Sequence, residues 1–148
     1  MSILKETMQA MKDAMKAKDA DTLAAVRAIR TAITNEQLEL GVEELDEKDS
    51  IKVLQRLVKQ RKDSAAIYKE QDREDLAETE LAQAKVIEKY LPEQLSEEAV
   101  RKIVQEIIDE IGAEGMKDMG KVMELSNERL AGKADGKTIA SITKSILG

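Results

Sequence analysis

The segment Tyr90-Leu91-Pro92-Glu93-Gln94-Leu95-Ser96-Glu97-Glu98 holds the only proline of the chain and decides how the rest divides. Pro92 disfavours helical geometry at Leu91, so a helix arriving from the N-terminal side ends there. Ser96, followed by Glu97 and Glu98, has the chemistry of a helix start. Its hydroxyl can accept from an unpaired backbone N–H, and the two anions suit the positive end of a helix dipole. On the N-terminal side of this boundary the apolar spacing predicts four helices. Leu4, Met8, Met11 and Met15 form the stripe of a first helix starting near Ser2. Leu23, Val26, Ile29, Ile33 and Leu40 follow Asp19 or Asp21 as cap and stop at Gly41. Ile51, Leu54, Leu57, Val58 and Ala65 follow Asp46, and Leu76, Leu81, Ala84, Ile87 and Leu91 follow Asp72. On the C-terminal side Val100, Ile103, Val104, Ile107, Ile108 and Ile111 run to Gly112. Met116, Met119, Val122 and Met123 open a sixth helix that closes at Gly132, and Asp135 caps a seventh with Ile139, Ile142 and Ile146 inside. No segment alternates with period two. The expectation is an all-α fold: an N-terminal helical domain of about four helices over 1–94 and a small three-helix domain over 95–148.

Composition narrows the chemistry. The 148 residues are 42% hydrophobic and 36% charged, which suits one ordinary domain or two small ones. Phe and Trp are absent, so Leu, Ile, Val, Ala and Met must fill the core, and Tyr68 and Tyr90 read as anchors with one wet end. Without Cys there is no thiolate nucleophile, disulfide or Cys-ligated metal; without His there is no imidazole base or Ser-His-Asp triad. No apolar run approaches the roughly 20 residues of a membrane span, and the start lacks the apolar core of a signal peptide. A cytoplasmic protein that avoids membranes is expected.

The motifs that invite a cofactor fail on spacing. Gly132-Lys-Ala-Asp-Gly-Lys-Thr138 places three residues between its glycines where a phosphate-binding P-loop needs four, and no strand precedes it. Gly132 ending one helix and Asp135 capping the next explains the string. The acidic run from Asp72 to Glu80 lacks the central glycine and alternating ligands of a calcium loop. Neither a nucleotide cofactor nor a metal is expected. The methionine stripes at 8, 11, 15 and 116, 119, 123 suit adaptable binding surfaces, but core packing is the better expectation where no Phe fills gaps.

Net charge is −6, unevenly spread. Residues 31–50 hold one base and seven acids, 51–69 six bases and one acid, 70–98 three and ten, and 116–148 six and four. Two basic faces emerge: Lys52, Arg56 and Lys59 on the third helix, and Lys117, Lys121, Lys137 and Lys144 near the C-terminus. Such stripes can grip phosphates, although on spacing alone they are more often solvated faces. The first lies between acidic segments that can fold back on it; the second has no acidic flank after it.

Five strings, in order, carry a resemblance: Gln60-Arg-Lys-Asp-Ser64, Arg73-Glu-Asp-Leu-Ala77, Tyr90-Leu-Pro-Glu-Gln-Leu95, Met116-Lys-Asp-Met-Gly-Lys-Val-Met123 and Lys133-Ala-Asp-Gly-Lys137. Together they resemble the GatB/YqeY family over essentially the whole chain, most closely its stand-alone YqeY-like proteins. The last two also resemble the tail domain of the GatB subunit of tRNA-dependent amidotransferases. That resemblance implies a helical domain followed by a three-helix tail, and a non-catalytic module whose partner is tRNA or a tRNA-handling enzyme. The amide-transfer chemistry of GatB belongs to a cradle that nothing here resembles. A carbon–nitrogen ligase label with glutamine as amido donor, whether as enzyme or accessory subunit, is therefore the alternative, beside a protein–protein interaction module. Carried over by motif, the nucleic-acid-binding candidates are Lys117, Gly120, Lys121, Gly136, Lys137 and Lys144. No catalytic residue is expected.

Overall fold

The computed structural model describes residues 2–148, and its regular structure is helical throughout. Seven α-helices follow one another: α1 (Ile3–Ala17), α2 (Ala20–Leu40), α3 (Glu47–Glu70), α4 (Glu74–Glu88), α5 (Glu97–Ile111), α6 (Met119–Arg129) and α7 (Gly136–Leu147). A single 3-10 turn, Met116–Asp118, leads into α6. Backbone contacts divide the chain after Leu91 into two compact units.

The helix starts are set by local chemistry. Ser2, Asp19, Asp46, Ser96 and Asp135 each accept a hydrogen bond from the backbone N–H three residues on, which satisfies one of the donors a helix start leaves unpaired. Gly41 and Gly112 end α2 and α5 in the left-handed region, at φ 68° and 66°. Two expected signals sit elsewhere. Asp72 does not cap α4: it lies at φ 57°, and a capping residue needs an extended backbone. Arg73 takes the cap position with no side-chain bond, and its guanidinium instead grips Asp75 in the first turn. The sixth helix closes at Leu130, short of Gly132; Gly132 turns the following loop at φ 77°.

In the first unit, Ile29 and Ile33 of α2, Leu54 of α3 and Ile87 of α4 form the core, with Tyr90 and Leu91 packed against it. Burial pushes the Tyr90 hydroxyl above its ordinary titration range, with Glu6 adding to the effect. Helix α1 departs from the expected stripe. Thr7 and Ala14 are its buried residues, while Met8 is 40% and Met15 55% exposed. The small side chains let α1 approach α2 closely, and the thioethers are left on the outer edge. Buried Thr7 is satisfied: its hydroxyl donates to the Ile3 carbonyl at 2.7 Å and accepts from Arg30 at 3.2 Å.

In the second unit, Val100, Val104 and Ile107 of α5, Val122 of α6 and Ile139 and Ile142 of α7 form a separate core. Thr143 is buried beside them and donates to the Ile139 carbonyl at 2.7 Å. Met116, expected inside, is 45% exposed on the 3-10 turn.

Candidate nucleic-acid interface

The loop from Leu130 to Asp135 and the two helices around it carry most of the candidate residues. That loop is held by the beginning of the same unit. The Gln94 side-chain amide donates to the Gly132 carbonyl at 2.6 Å and to the Pro92 carbonyl at 2.8 Å, and the Leu95 N–H donates to the Lys133 carbonyl at 2.9 Å. Two of the family-like strings, the one around Pro92 and the one around Asp135, therefore meet in space. Gln94 as a clamp was not legible from its neighbours, because its partner lies 38 residues away.

Lys137 sits in the first turn of α7 and Lys144 two turns further on the same exposed face, opposite buried Ile139 and Ile142. Neither has a carboxylate within 4.0 Å among the described residues, and the same holds for exposed Lys133 in the preceding loop. Lys133 joins Lys137 and Lys144 as a candidate the motif comparison passed over. Lys117 lies in the 3-10 turn and Lys121 in the first turn of α6. Each makes only a long, exposed ion pair, Lys117 to Glu114 at 3.8 Å and Lys121 to Glu124 at 3.9 Å. Pairs of that kind contribute about 0–1 kcal/mol, so a phosphate can displace them. The one arginine of this region is committed elsewhere. Arg129 forks onto Glu110 at 2.9 and 3.3 Å, which holds the Glu110 carboxyl below the usual carboxylate range and raises the Arg129 guanidinium.

Gly120 and Gly136 are both exposed, and a Cβ added to either meets nothing within 4 Å. Neither has positive φ. Packing and backbone geometry thus require glycine at neither position. The six candidates do not form one cluster: the start of α6, with Lys117, Gly120 and Lys121, is separated from the start of α7, with Gly136 and Lys137, by the body of α6. The N-terminus of α7 is also partly occupied, since the Asp135 carboxylate accepts from the Thr138 N–H at 2.6 Å. Lysine charge, more than a bare helix terminus, is what this surface offers an anion.

The family model described as "Yqey-like protein" matches residues 4–147, and the chain belongs to that family. It is similar to altered inheritance of mitochondria protein 41, mitochondrial, of Kluyveromyces lactis, at 32% identity over 93% of this chain and 71% of that protein. The protein of the same name from Clavispora lusitaniae is 34% identical over 82% of this chain and 72% of its own length. The names place those relatives in mitochondria. Among the described residues of this chain, no helix is long and apolar enough to cross a membrane.

Proposed function

We infer that this YqeY-like protein is a binding module, not an enzyme by itself, which holds RNA of the tRNA class, or the enzyme that handles it, through the C-terminal unit. A cytoplasmic setting goes with that reading. The observation that carries it is the set of uncommitted lysines: among the described residues, Lys133, Lys137 and Lys144 have no carboxylate within 4.0 Å, and Lys117 and Lys121 have only loose ones. Phosphate contacts need charge that is not already spent inside the protein, because the affinity comes from releasing counterions from the nucleic acid. Gly120 and Gly136 support the reading, since a missing side chain lets a backbone come close to a phosphate.

The test is a salt titration of tRNA binding to the full chain. About four phosphate contacts give a slope of log affinity against log salt of around −3 to −4, and Lys137→Ala or Lys121→Ala reduces it by about 1. Arg56→Ala, on the other basic face, leaves the slope unchanged. Binding lost in Arg56→Ala and kept in the lysine variants moves the site to the first unit. No binding to tRNA by any of them leaves a protein partner as the occupant.

A further inference from the structure

Helix α2 has 21 residues and α1 only 15. The guanidinium of Arg30 reaches the Leu4 carbonyl near the start of α1, so the last turns of α2 run on past the helix that covers the rest of it. This overhang is well formed. Gly41 closes it in the left-handed region; its N–H donates to the Leu38 carbonyl at 3.3 Å and the Val42 N–H to the Gln37 carbonyl at 3.0 Å. The Gln37 amide then ties down the Glu43 carbonyl at 3.0 Å. On this fixed turn Leu38 is 76% exposed, Leu40 49% and Val42 43%. A single exposed leucine needs no explanation, but here three large aliphatics fall within five residues at one helix end, Leu38 and Leu40 on opposite sides of the helix and Val42 just beyond it, so that the tip is apolar on more than one side.

Its surroundings specify what fits. Glu39, Glu43, Glu44 and Glu47 are exposed, with no cation within 4.0 Å among the described residues. Residues 31–50 hold seven carboxylates and one base, Lys48. Such a rim repels phosphates, which excludes RNA and anionic lipid. A purely apolar partner would strip water from the carboxylates without replacing it. We propose that this tip is a docking surface for a protein partner that presents an apolar cleft edged by lysine and arginine. The aliphatic residues supply the buried centre of such an interface, and the carboxylates supply its polar rim and steer the approach. The surface belongs to the first unit and the lysine face to the second, and the proposal does not depend on the RNA reading.

The experiment places the photoreactive residue p-benzoylphenylalanine at Leu38 of the full chain in its own cells, with Ile67, another exposed aliphatic, as control. The adducts are identified by mass spectrometry down to the cross-linked peptide. The expected result is one protein adduct at Leu38 and not at Ile67, whose cross-linked peptide combines apolar residues with Lys or Arg. Its yield falls about ten-fold in Glu43→Lys/Glu44→Lys, a variant whose circular dichroism and melting match the parent. An adduct to RNA, to lipid or to a second copy of this chain overturns the proposal. So does the absence of an adduct, or one that charge reversal leaves unchanged.

Discussion

The two basic faces of this molecule differ in what surrounds them. The α3 face is the denser one in sequence, yet most of its charge is already answered. Arg56 lies 3.9 Å from Glu36 of α2, Lys59 is 2.9 Å from Asp63, and Lys62 is 2.9 Å from Glu88 of α4. Arg61 is directed inward, onto Gln83 at 3.1 Å and Glu80 at 3.8 Å. The acidic segment after α3 supplies Glu80 and Glu88 to Arg61 and Lys62, whereas Arg56–Glu36 at 3.9 Å is as loose as the pairs of Lys117 and Lys121. In the C-terminal unit the lysines of α7 and the loop before it have no carboxylate within 4.0 Å among the described residues. Counting bases along the chain and counting bases without a close partner therefore rank the two faces in opposite orders. Counting bases without a partner ranks them by what they can still bind.

The largest effect that can break this contrast comes from removing the platform beneath one face. Ile107 is fully buried in the small C-terminal core, and Ile107→Ala should destabilise the protein by about 2–5 kcal/mol. A unit of that size has little stability to spare, so tRNA binding should disappear with its fold. Binding that survives while circular dichroism shows the unit melted would mean that the α3 face carries it.

A smaller effect of opposite sign is expected at Ser126, which is fully buried on α6 with a hydroxyl that has no hydrogen-bond partner among the described residues. Ser126→Ala should stabilise the protein by about 1–2 kcal/mol in urea unfolding, because the desolvation cost of the orphan hydroxyl is removed. A destabilised variant would show that the hydroxyl has found a partner in solution. Smaller again, Glu36→Gln combined with Glu88→Gln should release Arg56 and Lys62. RNA affinity should then rise about three-fold, with a salt slope steeper by about 1–2. An unchanged slope would show that neutralisation is not what silences the α3 face.

The smallest effect is in acid. The hydrogen bonds from Arg129 to Glu110, from Thr22 to Asp19 and from Arg73 to Asp75 hold these carboxyls below their ordinary range. Their folded values lie below the unfolded ones, about 3.9 for Asp and 4.3 for Glu. The stability they contribute is present above that range and is lost as pH falls through the folded values. Glu110→Gln should therefore flatten the acid side of the stability profile and leave the neutral side nearly level. A variant as acid-sensitive as the parent would discount the Arg129–Glu110 fork.

Helix number, type and most helix starts were legible in the sequence, because they depend on nearest neighbours. A Ser or Asp caps the N–H three residues ahead, glycine alone is easy in the left-handed region, and a 3.6-residue stripe needs no knowledge of its partner. Where the local signal misled, a neighbour in space had overruled it. Asp72 was displaced as a cap by the turn that carries α3 into α4. The α1 methionines were left outside because Thr7 and Ala14 allow a closer approach to α2. The candidate lysines were legible as residues but not as an available surface. That required knowing that Glu36 and Glu88 reach α3, that Glu110 takes Arg129, and that among the described residues no carboxylate lies within 4.0 Å of Lys137 or Lys144. Gln94 could be identified as a clamp only once Gly132, 38 residues on, lay beside it. Backbone conformation is decided within a few residues of chain, so the sequence by itself determined the helices. Charge pairing falls off over a few ångströms of space, so only the tertiary structure decided which charges remain free.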